Sequence, residues 1–323
     1  MGSLEGMRII VGGGGGGIVS AWCRYFAAQG AKVLVNDIGF MQSEELGGDY
    51  DLRSRSRQPA DDVVRDIVAA GGTAVADYQD LSDFNAARLT VDHCIEAFGG
   101  VDAVVNGTCV SRLGECHLLS PEDFDAVLKN NLYPDYNLTH HALPYMMDQG
   151  WGRLIYTNST VIRSFWGSVN YAAAYGGVYS LMRCMANEGR QYGITANCVE
   201  PTAAGKTGAR PAGIAYLDRR AKALGLDSKP AAQTVSESIP AEATAPFVGY
   251  LLSEEGGWIS GQNFAVRGGR IALYSTFEES ACAEKALCEG DWTFDELKKT
   301  VPEVFAGSLV KLWYDRDDQK KNE

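Results

Sequence analysis

The sequence predicts a single α/β domain with a doubly wound parallel sheet, followed by a C-terminal extension. Two observations carry this. Short apolar stretches of strand length alternate with amphipathic runs of helix length along residues 1–270. The first apolar stretch also runs straight into six glycines, Gly12 to Gly17, before a helical run begins. Strand, glycines and helix in that order bring backbone N–H groups and a helix N-terminus onto a pyrophosphate. The chain has 323 residues, 46% of them hydrophobic, enough to fill one large core.

Residues 7–11 (MRIIV) form the first expected strand and residues 20–29 the first helix. Residues 32–36 (KVLVN) form the second strand, with Asp37 at its end. A carboxylate there can accept hydrogen bonds from an adenosine ribose and repels a 2′-phosphate, which favours NAD over NADP. Residues 39–59 are polar and charged, a long loop of the kind that usually serves function or stays unstructured. Residues 73–76 and 103–106 give the third and fourth strands. Residues 122–145 read as one long helix, started by Pro121 and ending near Pro144. His140 and His141 on it have no partner motif and read as structural.

A fifth strand, residues 154–156, leads into a polar turn with Ser159, a loop, and Tyr171 at the head of a helix that continues through residues 178–192. A hydroxyl at a strand's carboxyl end and a phenol on the next helix can meet over one substrate oxygen, the pairing needed to move a proton during hydride transfer. Residues 195–199 (TANCV) form the next strand and end at Pro201 and Thr202; residues 202–239 are rich in small residues. The last strand ends near Val266. Residues 271–323 form a tail with helical character at 279–289 and 294–300, and its Trp292, Phe294, Phe305, Leu312 and Trp313 suit packing on the core or on a dimer partner.

A net charge of −12 argues against nucleic acid or an anionic membrane as partner, so a phosphate has to be held locally. No apolar run reaches membrane-spanning length, and the first residues lack a signal-peptide pattern, which points to the cytoplasm. The eight cysteines include no C-x-x-C pair, so no metal site is expected and the thiols read as reduced and mostly buried.

The segment with Ser159 and Tyr171 resembles the catalytic stretch of the short-chain dehydrogenase/reductase family, in which a serine is followed by Tyr-x-x-x-Lys. The resemblance covers nearly the whole chain and implies a Rossmann-type sheet. It is nearest to the branch of the (3R)-hydroxyacyl-CoA dehydrogenase units of peroxisomal multifunctional enzyme type 2, through VLVNDIG, the long loop after it, and residues 240–266. The family's Gly-x-x-x-Gly-Ile-Gly maps to Gly13, Gly17 and Ile18, with Val19 in place of the last glycine. Valine there is expected to crowd the helix and displace the loop. Asp80 and Leu81 resemble the family's adenine-contacting pair. Its Asn-Asn-Ala-Gly appears as Asn106, Gly107, Thr108 and Cys109, and its Pro-Gly beside the nicotinamide as Pro201 and Thr202. Asn131 falls where the family holds a proton-relay water, and residues 202–239 where it has a substrate lid.

The resemblance implies Tyr171 as acid/base and Ser159 as the residue that steadies the substrate oxygen. The family's lysine, which binds the nicotinamide ribose and lowers the tyrosine's pKa, is replaced by Tyr175. An unperturbed phenol titrates near about 10, so alcohol oxidation, which needs the phenolate, suffers more than ketone reduction. Arg163 and Lys206 could supply a cation, though both read more readily as solvated surface residues. The leading expectation is an NAD(H)-dependent oxidoreductase that interconverts a ketone and a secondary alcohol on a bulky or acyl-thioester (acyl-CoA) substrate. The alternatives are a catalytically silent subunit paired with an active homologue, and a redox-neutral lyase or isomerase. The family pairs subunits through long helices, which implies a dimer or tetramer, homomeric or with such a homologue.

Overall fold

The computed structural model describes residues 2–42, 50–163, 167–203, 239–277, 279–284 and 292–307. The chain divides into two compact units, Met1–Tyr274 and Ser275–Glu323. The first unit is built on an eight-stranded sheet. Its strands are β1 (Arg8–Gly12), β2 (Lys32–Asn36), β5 (Thr73–Asp77), β6 (Ala103–Asn106), β7 (Gly152–Thr157), β8 (Ile194–Pro201), β9 (Asn263–Arg267) and β10 (Arg270–Leu273). Their order is β10-β9-β8-β7-β6-β1-β2-β5. All neighbours are parallel except β10, which folds back on β9. From β1 the chain builds outward through β2 and β5, then returns to lay β6 on the other side of β1. That reversal opens a crevice beyond the carboxyl ends of β1 and β6, the place where such sheets bind ligands.

Both faces of the sheet are covered, which is why its strands read as apolar runs instead of alternating ones. Ile9, Val11, Val33 and Val35 pack under α1 (Gly17–Ala28), α2 (Gln58–Ala69) and α7 (Ala245–Leu252) through Trp22, Phe26, Val63, Ile67, Val248 and Leu251. Ile10, Leu34, Val104 and Leu154 point to the other face. There they meet α3 (Phe84–Phe98), α5 (Tyr133–Gln149) and α6 (Val169–Gly189) through Val91, Leu138, Met146, Val178 and Met182.

The one long helix expected over residues 122–145 is two helices. α4 (Pro121–Asn131) starts as expected, with Pro121 in its first turn and Ser120 accepting a hydrogen bond from the Asp123 amide. It stops at Leu132 (φ −112°, ψ −44°), and α5 begins immediately after. Pro134 has no N–H to give to the carbonyl of residue 130, and its ring crowds that carbonyl. Pro144 lies inside α5, which runs on until Gly150 turns left-handed at φ 68°.

The long loop after β2 carries a small antiparallel pair, β3 (Met41–Gln42) with β4 (Tyr50–Asp51). Most of the expected lid lies outside the described residues, as do Lys206, the Arg163 side chain, Leu312 and Trp313. In the second unit, residues 279–284 are not helical as expected. α8 (Phe294–Phe305) starts where Thr293 and Glu296 close a reciprocal capping box. Among the described residues no helix is long and apolar enough to cross a membrane, and no group of three His, Cys, Asp or Glu side chains could hold a metal ion.

Candidate active site

The predicted site residues converge at the carboxyl edge of the sheet, around the crevice. The glycine run leaves β1 with Gly13 at φ 70° and enters α1 with Gly17 at φ 54°, left-handed conformations that favour glycine. The Gly14 N–H donates to the carbonyl of Asn36, which pins the loop to β2 (2.9 Å). Gly16 caps α1 without a side chain, and the first turn carries no acidic residue. The helix dipole and its free N–H groups are therefore left to an anion from elsewhere, and Ile18 sits in that first turn.

Asp37 closes the loop from the side. One carboxylate oxygen accepts the Gly15 N–H (3.0 Å) and the other the Gly39 N–H (2.7 Å). Burial pushes its pKa up and those two amides pull against the rise. A Cβ on Gly15 would lie 2.8 Å from this carboxylate, so the approach depends on glycine. Val19, expected to crowd the helix and displace the loop, packs against Gly107. α1 starts at Gly17 with Val19 only 8% exposed, because Gly107 opposite it has no side chain to resist it.

Asp80 uses one oxygen to accept from the Ser82 N–H (3.1 Å) and hydroxyl (2.6 Å), and faces Arg55 with the other (3.4 Å). The Leu81 side chain is buried in the core and its carbonyl accepts from Asn137, so a ligand can meet this residue only through its backbone. Asn106 ties three elements together. A Cβ on Gly12 would come within 2.4 Å of its Oδ1, that oxygen accepts from the Thr108 hydroxyl (3.1 Å), and its Nδ2 donates to Asp135 in α5 (2.8 Å).

Asp135 is a buried carboxyl that the sequence reading missed, 2% exposed, whose pKa burial drives well above the usual carboxylate range. A signal was present: Asp135, Leu138, Ala142 and Met146 share the buried stripe of α5 at helical spacing. Because folding raises this pKa, the group's contribution to stability is greatest below the unfolded pKa of about 3.9 and is lost as pH rises through the folded pKa. Asp135→Asn keeps an acceptor for Asn106 and removes the titration. The variant is expected to melt above the wild type at pH 8, with the gap closing toward pH 4, in thermal unfolding across pH.

Ser159 lies two residues past β7, where its Oγ accepts from the Val161 N–H (3.4 Å). Tyr171 stands in the first turn of α6, its ring packed with Val110, Val127 and Ala174. Phe40 and Leu52, from the long loop after β2, join the same cluster. The Tyr171 hydroxyl donates to that of Tyr175 (3.5 Å), with ring centroids 4.7 Å apart at 61°. Tyr175 is 3% exposed, and burial, reinforced by Tyr171, pushes its hydroxyl well above the phenol range.

Both ends of the Asn131 amide are engaged by Val110: Oδ1 accepts the Val110 N–H (2.7 Å) and Nδ2 donates to its carbonyl (2.9 Å). This side chain fixes the loop after β6 and keeps one lone pair and one N–H for other partners. Pro201 ends β8 and the Thr202 N–H donates to Val266 (2.9 Å), which places both at the same edge of the sheet.

A doubly wound sheet with a glycine loop leading into an uncapped helix defines a Rossmann-type α/β protein. The family profile for short chain dehydrogenase matches residues 7–212. A short-chain type dehydrogenase/reductase of Mycobacterium tuberculosis is 32% identical over 278 residues, 86% of this chain and 87% of that one. Peroxisomal multifunctional enzyme type 2 of Drosophila melanogaster is 36% identical over 204 residues, 62% of this chain but 32% of that longer protein. A crystal structure of a short chain dehydrogenase from Mycobacterium avium superimposes with a TM-score of 0.77 at 29% identity, covering 96% of this chain and 98% of that one. This chain belongs to the short-chain dehydrogenase/reductase family of oxidoreductases, whose dinucleotide is NAD(P).

Proposed function

We propose that this protein is an NAD(H)-dependent carbonyl reductase that converts a ketone, on a bulky or acyl-thioester substrate, to a secondary alcohol. The observation that carries the reading is the Tyr171–Tyr175 contact beside the Ser159 turn: a neutral phenol occupies position 175, so Tyr171 is suited to give a proton and poorly suited to take one.

The Gly13–Gly17 cradle and α1 N-terminus would hold the pyrophosphate of the dinucleotide, Asp37 the adenosine ribose, and Pro201 and Thr202 would flank the nicotinamide. Reduced dinucleotide supplies the hydride when bound. Ser159 Oγ–H donates to the substrate carbonyl and holds it beside Tyr171. The Tyr171 hydroxyl gives its proton to that oxygen as the carbonyl carbon is reduced. Tyr175 then turns from acceptor to donor and hydrogen-bonds the phenolate left behind. Phe40 and Leu52, packed with Tyr171, wall the site on the side of the long loop, which suits a large apolar substrate.

Titration with NAD, NADH, NADP and NADPH tests the cofactor assignment. NADH is expected to bind most tightly. Asp37→Asn, which removes the charge and keeps one acceptor, is expected to narrow the preference for NADH over NADPH by about tenfold, as loss of roughly 1.4 kcal/mol of charge repulsion requires. An unchanged preference would take Asp37 out of that role.

The stripe Tyr133, Tyr136, His140 and Pro144 on α5 is exposed, and its largely apolar character supports assembly through this helix into a dimer or tetramer. The same face would serve a partner that is a homologue. The reading places the protein in the cytoplasm.

A further inference from the structure

Two of the positions at which this chain departs from its family's signatures touch each other. The family signatures that this chain resembles place glycine at position 19 and asparagine at position 107, where it has Val19 and Gly107. A Cβ built on Gly107 would lie 2.4 Å from Val19 Cγ2, closer than real Cβ contacts allow, and 3.4 Å from Val19 Cβ. Neither side can yield cheaply. Val19 is branched at Cβ, confined in its χ1 rotamer within the first turn of α1, and buried. The Gly107 N–H donates to the Gly12 carbonyl (2.9 Å), and a Cβ on Gly13 would meet the Gly107 carbonyl at 3.0 Å. The glycine loop, the start of α1 and the turn after β6 thus close on one small volume that has room for one side chain.

We propose that Val19 and Gly107 are a reciprocal pair of positioning residues: this chain fills from α1 the volume its family fills from the turn after β6, and the exchange keeps the dinucleotide cradle open. The inference rests on the dinucleotide reading above. It joins two departures from the quoted binding signature in one contact. Gly107 is not among the glycines with positive φ, so a side chain there meets no backbone strain and any effect reports the contact with Val19.

The test is a double-mutant cycle of Gly107→Ala and Val19→Ala, read as NADH affinity by cofactor fluorescence and as melting temperature without nucleotide. Val19→Ala removes Cγ2, the atom in the way, and leaves a good helix former. Gly107→Ala alone is expected to weaken NADH binding by about tenfold or more, and Gly107→Ala with Val19→Ala to return within about threefold of the wild type, a coupling of the size expected for residues in contact. Additive effects, or Gly107→Ala binding NADH like the wild type, would overturn the pairing. Coupling in melting temperature with unchanged affinity would reduce the pair to packing and end its positioning role. Failure of the dinucleotide reading looks different, because the wild type itself would then bind none of the four nucleotides.

Discussion

Tyr171→Phe is expected to abolish ketone reduction, with a fall in kcat of at least about 10³-fold, the middle of the range for losing a positioned proton donor. The substitution is small in every other respect. Phenylalanine keeps the ring that packs with Val110, Val127 and Ala174 and the edge contact with Tyr175. What disappears is the hydroxyl, and with it the proton for the nascent alkoxide. NADH affinity, measured by fluorescence on the same preparation, should stay within about twofold, because the cradle is built from other elements. Turnover that survives in the variant, above all in a co-purified complex, would move the chemistry to another chain and support the silent-subunit reading.

Tyr175→Lys is expected to act in the opposite direction, raising alcohol oxidation at pH 7 by about 10- to 100-fold, since a cation within a few ångströms lowers an acid's pKa by about one to two units. In the wild type a buried phenol stands beside Tyr171. Oxidation needs the Tyr171 phenolate, so its rate should climb with pH through the neutral range, while reduction, which needs the phenol, stays flat there and falls only in alkali. The lysine variant should carry the rising limb of oxidation to lower pH by those one to two units. Asp135 is near enough to influence Tyr175 electrostatically, and it would give the new ammonium a carboxylate partner in the core. Rate–pH profiles in both directions decide this, and unchanged profiles would show that position 175 does not set the protonation of Tyr171.

The sheet and the nucleotide end of the site were legible because local signals agree there. KVLVN can only be a buried strand, and a glycine run between a strand and a helix has few other uses. Ser159, Tyr171 and Asp37 follow from their places at strand and helix ends. Three features were hidden, each because it depends on contacts distant in sequence. Asn131 clamps Val110, 21 residues away, through both ends of its amide. Asp135 looked like an ordinary helix acid until the sheet and Asn106 enclosed it. Val19 appeared disruptive because the glycine that accommodates it lies on a different strand's exit. The helix break, by contrast, is written in Pro134, which the expectation of one helix from Pro121 to Pro144 passed over.

That break also has a mechanical side. One unbroken rod over residues 121–149 would carry any strain at the substrate edge straight along its length, to the face through which subunits would meet. Cut at Leu132, the rod becomes a jointed pair: α4 leans on α6 beside Tyr171, and α5 lies against the sheet and α3. Movement of α4 would strain its packing on α6, whereas α5 keeps its own seat against the sheet and α3.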